Sequence, residues 1–108
     1  MTNAEIKIEK KGSRWWLVKH TDDWPFRSNV FGCQTKREAT TLRAALLGDA
    51  IAAKKWYRLH LTQWLKNFSE KEAADATAHT AEAFGFYPEY VGADPNTFLP
   101  VENLEGES

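Results

Sequence analysis

The chain has 108 residues, which on length alone is one domain, and a 43% apolar share with five Trp, three Tyr and six Phe is enough for a core. One cysteine, Cys33, excludes an internal disulfide and points to a reducing compartment; with no apolar secretory segment at the N-terminus and no run near the about 18 apolar residues of a membrane span, the expected location is cytoplasmic, away from membranes. The net charge of −1 hides a division: residues 1–67 carry thirteen Lys and Arg against six Asp and Glu, whereas residues 68–108 carry one against nine, so a basic body (4–68) is followed by an acidic helix and tail (69–108) within a single domain, 1–108.

Residues 4–10 (AEIKIEK) alternate apolar and charged, the signature of a half-buried strand. Lys10-Lys11-Gly12-Ser13 suits a turn. Residues 14–20 (RWWLVKH) follow as a second strand rich in aromatic and β-branched types. Alternation places Trp15, Leu17 and Lys19 on one face and Arg14, Trp16, Val18 and His20 on the other. A helix covers only one face of so small a sheet, so one of Trp15 and Trp16 is expected to be exposed beside basic residues or covered by the C-terminal segment. Thr21 to Pro25 reads as a loop, and residues 26–33 (FRSNVFGC) as a third strand with Gly32 marking a bulge or the strand end.

The chain is organised around residues 35–68. Thr35 and Glu38 stand at the spacing of a capping box, in which the Thr35 hydroxyl accepts from the Glu38 amide and the Glu38 carboxylate reaches back to the Thr35 amide. Behind it Ala39, Leu42, Leu46, Ala50, Ala53, Trp56 or Tyr57, Leu61, Trp64, Leu65 and Phe68 recur at three- and four-residue steps, one apolar stripe on a long helix. Gly48-Asp49 is the weak point, a place to kink the helix or to end it and cap a second. Ser69 and Glu72 form another capping box and open an alanine-rich helix over 70–84, with Gly85 at the position after its C-cap. Residues 86–104 combine prolines with aromatic and apolar side chains, which predicts an ordered, irregular segment lying over the body, and the last four residues are expected to fray. The predicted fold is α+β: a three-stranded antiparallel sheet packed on a long helix, then a shorter helix and an ordered irregular C-terminal segment.

Catalytic patterns are thin. His20, His60 and His79 stand far apart, Cys33 has no C-x-x-C partner and reads as a small core side chain, and no glycine-rich phosphate loop appears. The expectation is a non-enzymatic protein with no metal or cofactor. The stronger signal is basic and aromatic: Lys10, Lys11, Arg14, Lys19 and Arg27 come from adjacent strands with Trp16 among them, a combination that neutralises phosphates and stacks on bases. A second set, Lys54, Lys55 and Arg58 on the helix with Glu72, Asp75 and Glu82 on the acidic helix, is a candidate protein-partner surface.

Gly12, Trp15 or Trp16, Phe31, then Thr35-Lys36 with Glu38-Ala39 give residues 5–47 a resemblance to the N-terminal arm-binding domains of phage integrases, which have a β-β-β-α unit. The resemblance implies a sheet inserted into the DNA major groove, with Arg14, Trp16, Lys19 and Arg27 at the DNA. No recombinase catalytic domain accompanies it here, so the implied role is that of a DNA-binding accessory protein. The alternative is a small protein-interaction module, of the kind phages encode to inhibit a host defence or nucleic-acid-processing complex, acting through its acidic surface or aromatic patch, or forming a homodimer through the long helix.

Overall fold

Alternating side chains and a two-residue turn build the first half of the molecule. A computed structural model describes residues 4–21 and 28–101; the expected loop after Thr21, Arg27, and the final residues 102–108 lie outside the described residues. Strands β1 (Ala4–Lys11), β2 (Arg14–Thr21) and β3 (Ser28–Cys33) form an antiparallel sheet in the order β1-β2-β3. Lys11 pairs with Arg14 across the first turn, and Gly12 supplies the positive φ, +64°, that a type II′ hairpin requires at its first central residue. The register aligns Ile6, Ile8, Leu17, Trp15, Phe31 and Cys33 on one face, and Lys11, Arg14, Trp16 and Gly32 on the other. The β2–β3 register shifts between Leu17 and Val18, and both of these neighbours are fully buried.

Among the described residues four helices follow: α1 (Lys36–Leu46), α2 (Ala50–Leu65), α3 (Glu70–Ala83) and the single turn α4 (Pro88–Val91). The apolar stripe expected on one long helix is therefore divided between two. Gly48 takes φ +112° and the Asp49 carboxylate accepts from the amides of Ile51 and Ala52 at 3.0 and 3.1 Å, capping a new helix that folds back on the first. Length explains the break. Thirty helical residues would run about 45 Å, whereas an eight-residue strand spans about 27 Å. A continuous rod would overshoot the sheet and leave half its stripe in water. Folded back, Ala39, Leu42 and Ala45 of α1 meet Ile6, Leu17 and Cys33 of the sheet, and Ala52, Ala53, Trp56 and Tyr57 of α2 close the same core. Of the stripe that would serve a homodimer, Ala39, Leu42, Ala53 and Trp56 are buried within the chain, whereas Ala50, Leu65 and Phe68 are exposed.

The α3 expectation holds in detail. Ser69 and Glu72 satisfy both halves of the capping box, at 3.2 Å and 3.0 Å, and Gly85 has φ +85° just past the Phe84 C-cap. Ala73, Ala74, Thr77 and Ala81 are buried, and these small side chains let α3 lie close against α2. The segment after α3 is ordered, as its composition predicts, and is more regular than expected: it contains α4 and a bridge between Ala93 and Pro100. It packs on α2 through Phe86, Val91 and Ala93, and the buried Tyr57 hydroxyl donates to the Phe98 carbonyl at 2.6 Å.

Asp49→Ala removes the cap that starts α2 and is expected to lower stability by about 1 kcal/mol. Urea denaturation checks this: an unchanged midpoint would show that tertiary packing alone sets the break.

Candidate functional site

Glu38 stands one turn into α1, at the junction with β3. Its amide donates to Thr35 Oγ1 at 3.1 Å, so half of the expected capping box is present. The other half is not made. The carboxylate turns inward instead: Oε2 accepts from the Trp56 indole N–H at 3.0 Å, and Oε1 from the Gln63 amide at 2.9 Å and from the Gln34 amide at 3.4 Å. Burial is the reason. Trp56 is fully buried, its indole N–H would otherwise be orphaned, and a carboxylate is the strongest acceptor it can find.

His60 lies one turn beyond Trp56 and Trp64 one turn beyond His60, so their rings run as a ladder along α2, with centroids 5.1 Å and 6.3 Å apart; Phe68 continues it at 4.8 Å from Trp64. Phe31 from β3 and Phe84 after α3 close on the Trp56 ring edge-to-face. His60 is buried and shares a hydrogen bond between Nδ1 and Thr77 Oγ1, 3.1 Å apart; its Nε2 has no partner among the described residues. Loss of hydration pushes the imidazole pKa below its ordinary 6.5, and the nearby Glu38 charge opposes this.

Between the β3 edge and these helices lies a cleft of about 480 Å³, with Glu38, His60 and Gln63 among its inner residues and Arg14, Trp16 and Phe68 among its others. Trp16 reaches it by lying flat across Gly32: a Cβ at residue 32 would stand only 3.0 Å from the indole ring. Arg14 donates from Nη1 to the Gly32 carbonyl at 3.2 Å, beside the same ring. The expectation that one of Trp15 and Trp16 is exposed is corrected here, because both are half-buried and each is covered locally. Trp15 has the Lys10 and Lys36 ammonium groups 5.4 and 5.6 Å from its ring.

The predicted basic set divides between the two faces of the sheet. Lys11 and Arg14 are exposed at the hairpin end of the face opposite α1, with Trp16 beside them; Lys10 and Lys19, also exposed, align in register with Trp15 and Leu17 on the α1 face. Val18, farther along the outward face, is fully buried, whereas its cross-strand partner Lys7 is exposed. Lys54 and Lys55 lie on the outer side of α2, and Arg58 donates to the Val101 carbonyl at 3.4 Å. Of the three acids expected to face a partner, Glu72 caps Ser69, whose amide holds its carboxyl below the usual carboxylate range, and Asp75 pairs with Lys71 at 3.1 Å. Glu82 is exposed. The α3 acids Glu70, Glu72, Asp75 and Glu82 are all exposed. Cys33 is fully buried; burial first, and the Glu38 charge second, push its thiol up to about 12, so at neutral pH it is a core side chain and no nucleophile.

Reading the sequence missed Glu38 and His60 as cleft residues. The signal available was the run Trp56, His60, Trp64, Phe68 at four-residue steps, which puts a histidine on the most aromatic line of the helix. Among the described residues, no group of three or more His, Cys, Asp and Glu side chains stands ready to hold a metal ion, and no helix among them is long and apolar enough to cross a membrane. No family model, curated protein or solved structure matches this chain.

The burial of neutral His60 fixes a pH dependence. The unfolded chain takes up this proton near pH 6.5, whereas the folded chain takes it up only at lower pH, so the unfolded state binds more protons as the pH falls. Stability is therefore expected to be full above about pH 7 and to decline on acidification through pH 6.5. Urea midpoints at pH 7.5 and 5.5 should differ more for the parent chain than for His60→Gln; an equal difference would remove His60 as the cause.

Proposed function

We propose that the chain is a non-enzymatic nucleic-acid-binding protein that uses the outward face of its sheet at the β1–β2 hairpin. The observation that carries this reading is the grouping of exposed Lys11 and Arg14 with the Trp16 ring on the face opposite α1. Two neighbouring cations on a narrow β-ribbon neutralise phosphates, and such a ribbon is slim enough to enter a major groove. The charge division supports the same reading. The α3 acids sit on a helix that packs on α2, while Lys11 and Arg14 are exposed on the sheet, so acids and bases are carried on different elements and orient the molecule in the field of a polyanion. The arrangement also fits the groove-inserted sheet that the resemblance to integrase arm-binding domains implies, although Lys19 aligns with the opposite face.

A second reading, a protein-interaction module, is favoured by one observation. Leu47 and Ile51, 54% and 65% exposed, flank the α1–α2 turn as an apolar pair with no role in the core. The acidic side of α3 offers such a module a separate surface for a basic host protein.

Fluorescence anisotropy with a labelled duplex at several salt concentrations separates the two. Lys11→Ala with Arg14→Ala is expected to weaken binding and to reduce the slope of log K against log salt by about two, one counterion-releasing contact for each residue. Lys54→Ala with Lys55→Ala is expected to leave both unchanged. Unaltered affinity in the folded hairpin variant removes the sheet face from the site and turns attention to the apolar pair.

A further inference from the structure

We infer that the cleft beside β3 receives a single unstacked nucleobase, with guanine favoured over thymine, from a nucleic acid lying on the hairpin face. The inference rests on the nucleic-acid reading above and names what the adjoining cavity would take.

Continuity is the first argument. Arg14 and Trp16 belong to the outward sheet face and also line the cleft, so a backbone held at Arg14 lies within reach of the cleft mouth. Size is the second. At about 480 Å³ the space falls within the range of pockets that hold small ligands. The third is the character of the walls. Trp16, Trp64 and Phe68 present ring faces or edges, and Phe68 remains 47% exposed where the core had no use for it. Aromatic rings that bound a cleft are the sequence-tolerant platform on which single bases stack.

The inner wall carries the selectivity. The Glu38 carboxylate accepts from three described donors, fewer than the about four lone-pair sites it offers, and it lines the cleft. His60, 6% exposed, also lines it with Nε2 unpartnered among the described residues. A buried polar atom without a partner calls for one, and a base edge offers hydrogen-bonding groups in a flat frame. The acceptor-only carboxylate chooses among bases. Guanine presents adjacent ring N–H and exocyclic NH₂ donors on one edge, whereas thymine presents a lone N–H between two carbonyl oxygens that a carboxylate repels. The Gln63 amide, already donating to Glu38, has its carbonyl oxygen left to accept from the same edge.

The test uses the full chain and three labelled probes: a fully paired duplex, the same duplex with one unpaired guanine, and the same with one unpaired thymine. The guanine bulge is expected to bind about tenfold more tightly than the paired duplex, within the range that one base–aromatic stack contributes, and more tightly than the thymine bulge, whose edge the Glu38 carboxylate repels. Phe68→Ala, a change at a half-exposed position, should remove the gain of the guanine bulge over paired duplex and leave the affinity for paired duplex as it was, with circular dichroism confirming the fold. Equal binding of all three probes overturns the cleft inference and leaves the sheet reading standing. Equal binding of the guanine and thymine bulges, or a gain of the guanine bulge over paired duplex that survives Phe68→Ala, also overturns it. Failure of every probe to bind overturns both.

Discussion

A carboxylate buried among helices must find donors, and Glu38 finds them on α2, from the Trp56 indole and, two turns later, from the Gln63 amide. Because those contacts lie on either side of the His60 turn, the α1–α2 crossing is fixed along the axis of α2 as well as across it. Each such charge-assisted hydrogen bond contributes about 1.5–3 kcal/mol, against a total stability of about 5–15 kcal/mol for a domain of this kind. Hydrophobic burial supplies more in sum but is indifferent to register. The carboxylate supplies the register. Around it Phe31, Trp56, Phe84 and Phe86 meet edge-to-face or tilted at centroid distances of 5.6–6.4 Å, an arrangement that tolerates little sliding.

That constraint propagates outward. With α1 held on one face of the sheet and α2 folded back over α1, α3 and α4 have only α2 to pack on. The hairpin end of the face opposite α1 keeps its lysine and arginine exposed. The cleft arises from the same geometry, since α2 and α3 approach the β3 edge without covering it and Gly32 lets the Trp16 ring fold over that edge. The exposed acids of α3 and the exposed Lys11 and Arg14 of the hairpin are carried on different elements of the fold, as the charge division along the sequence implies.

Much of this was legible in the sequence. Alternation in AEIKIEK and RWWLVKH, the glycine of the first turn, the Ser69–Glu72 capping box and Gly85 each mapped onto the element they predicted, because each rests on local chemistry. The break at Gly48-Asp49 was visible as an ambiguity, and only the length of the sheet decides it. Glu38 was misread in part because a capping box and a buried carboxylate present the same residue at the same spacing; the choice depends on Trp56, 18 residues away. His60 was passed over for the lack of a second histidine, although its place in the aromatic ladder was on view. The burial of both Leu17 and Val18 was not legible, since simple alternation places them on opposite faces and a β2–β3 register shift between them has no signature in the residues themselves.

The central claim is that the hairpin end of the face opposite α1 is the nucleic-acid surface. Chemical-shift mapping of the full ¹⁵N-labelled chain during titration with duplex DNA at low salt tests it most directly. The account predicts perturbations centred on the Lys11 and Arg14 amides and the Trp16 indole N–H, fading along β2 and absent from the solvent side of α3. Perturbations centred on α3 or on the Leu47–Ile51 turn, or none at all, would contradict it.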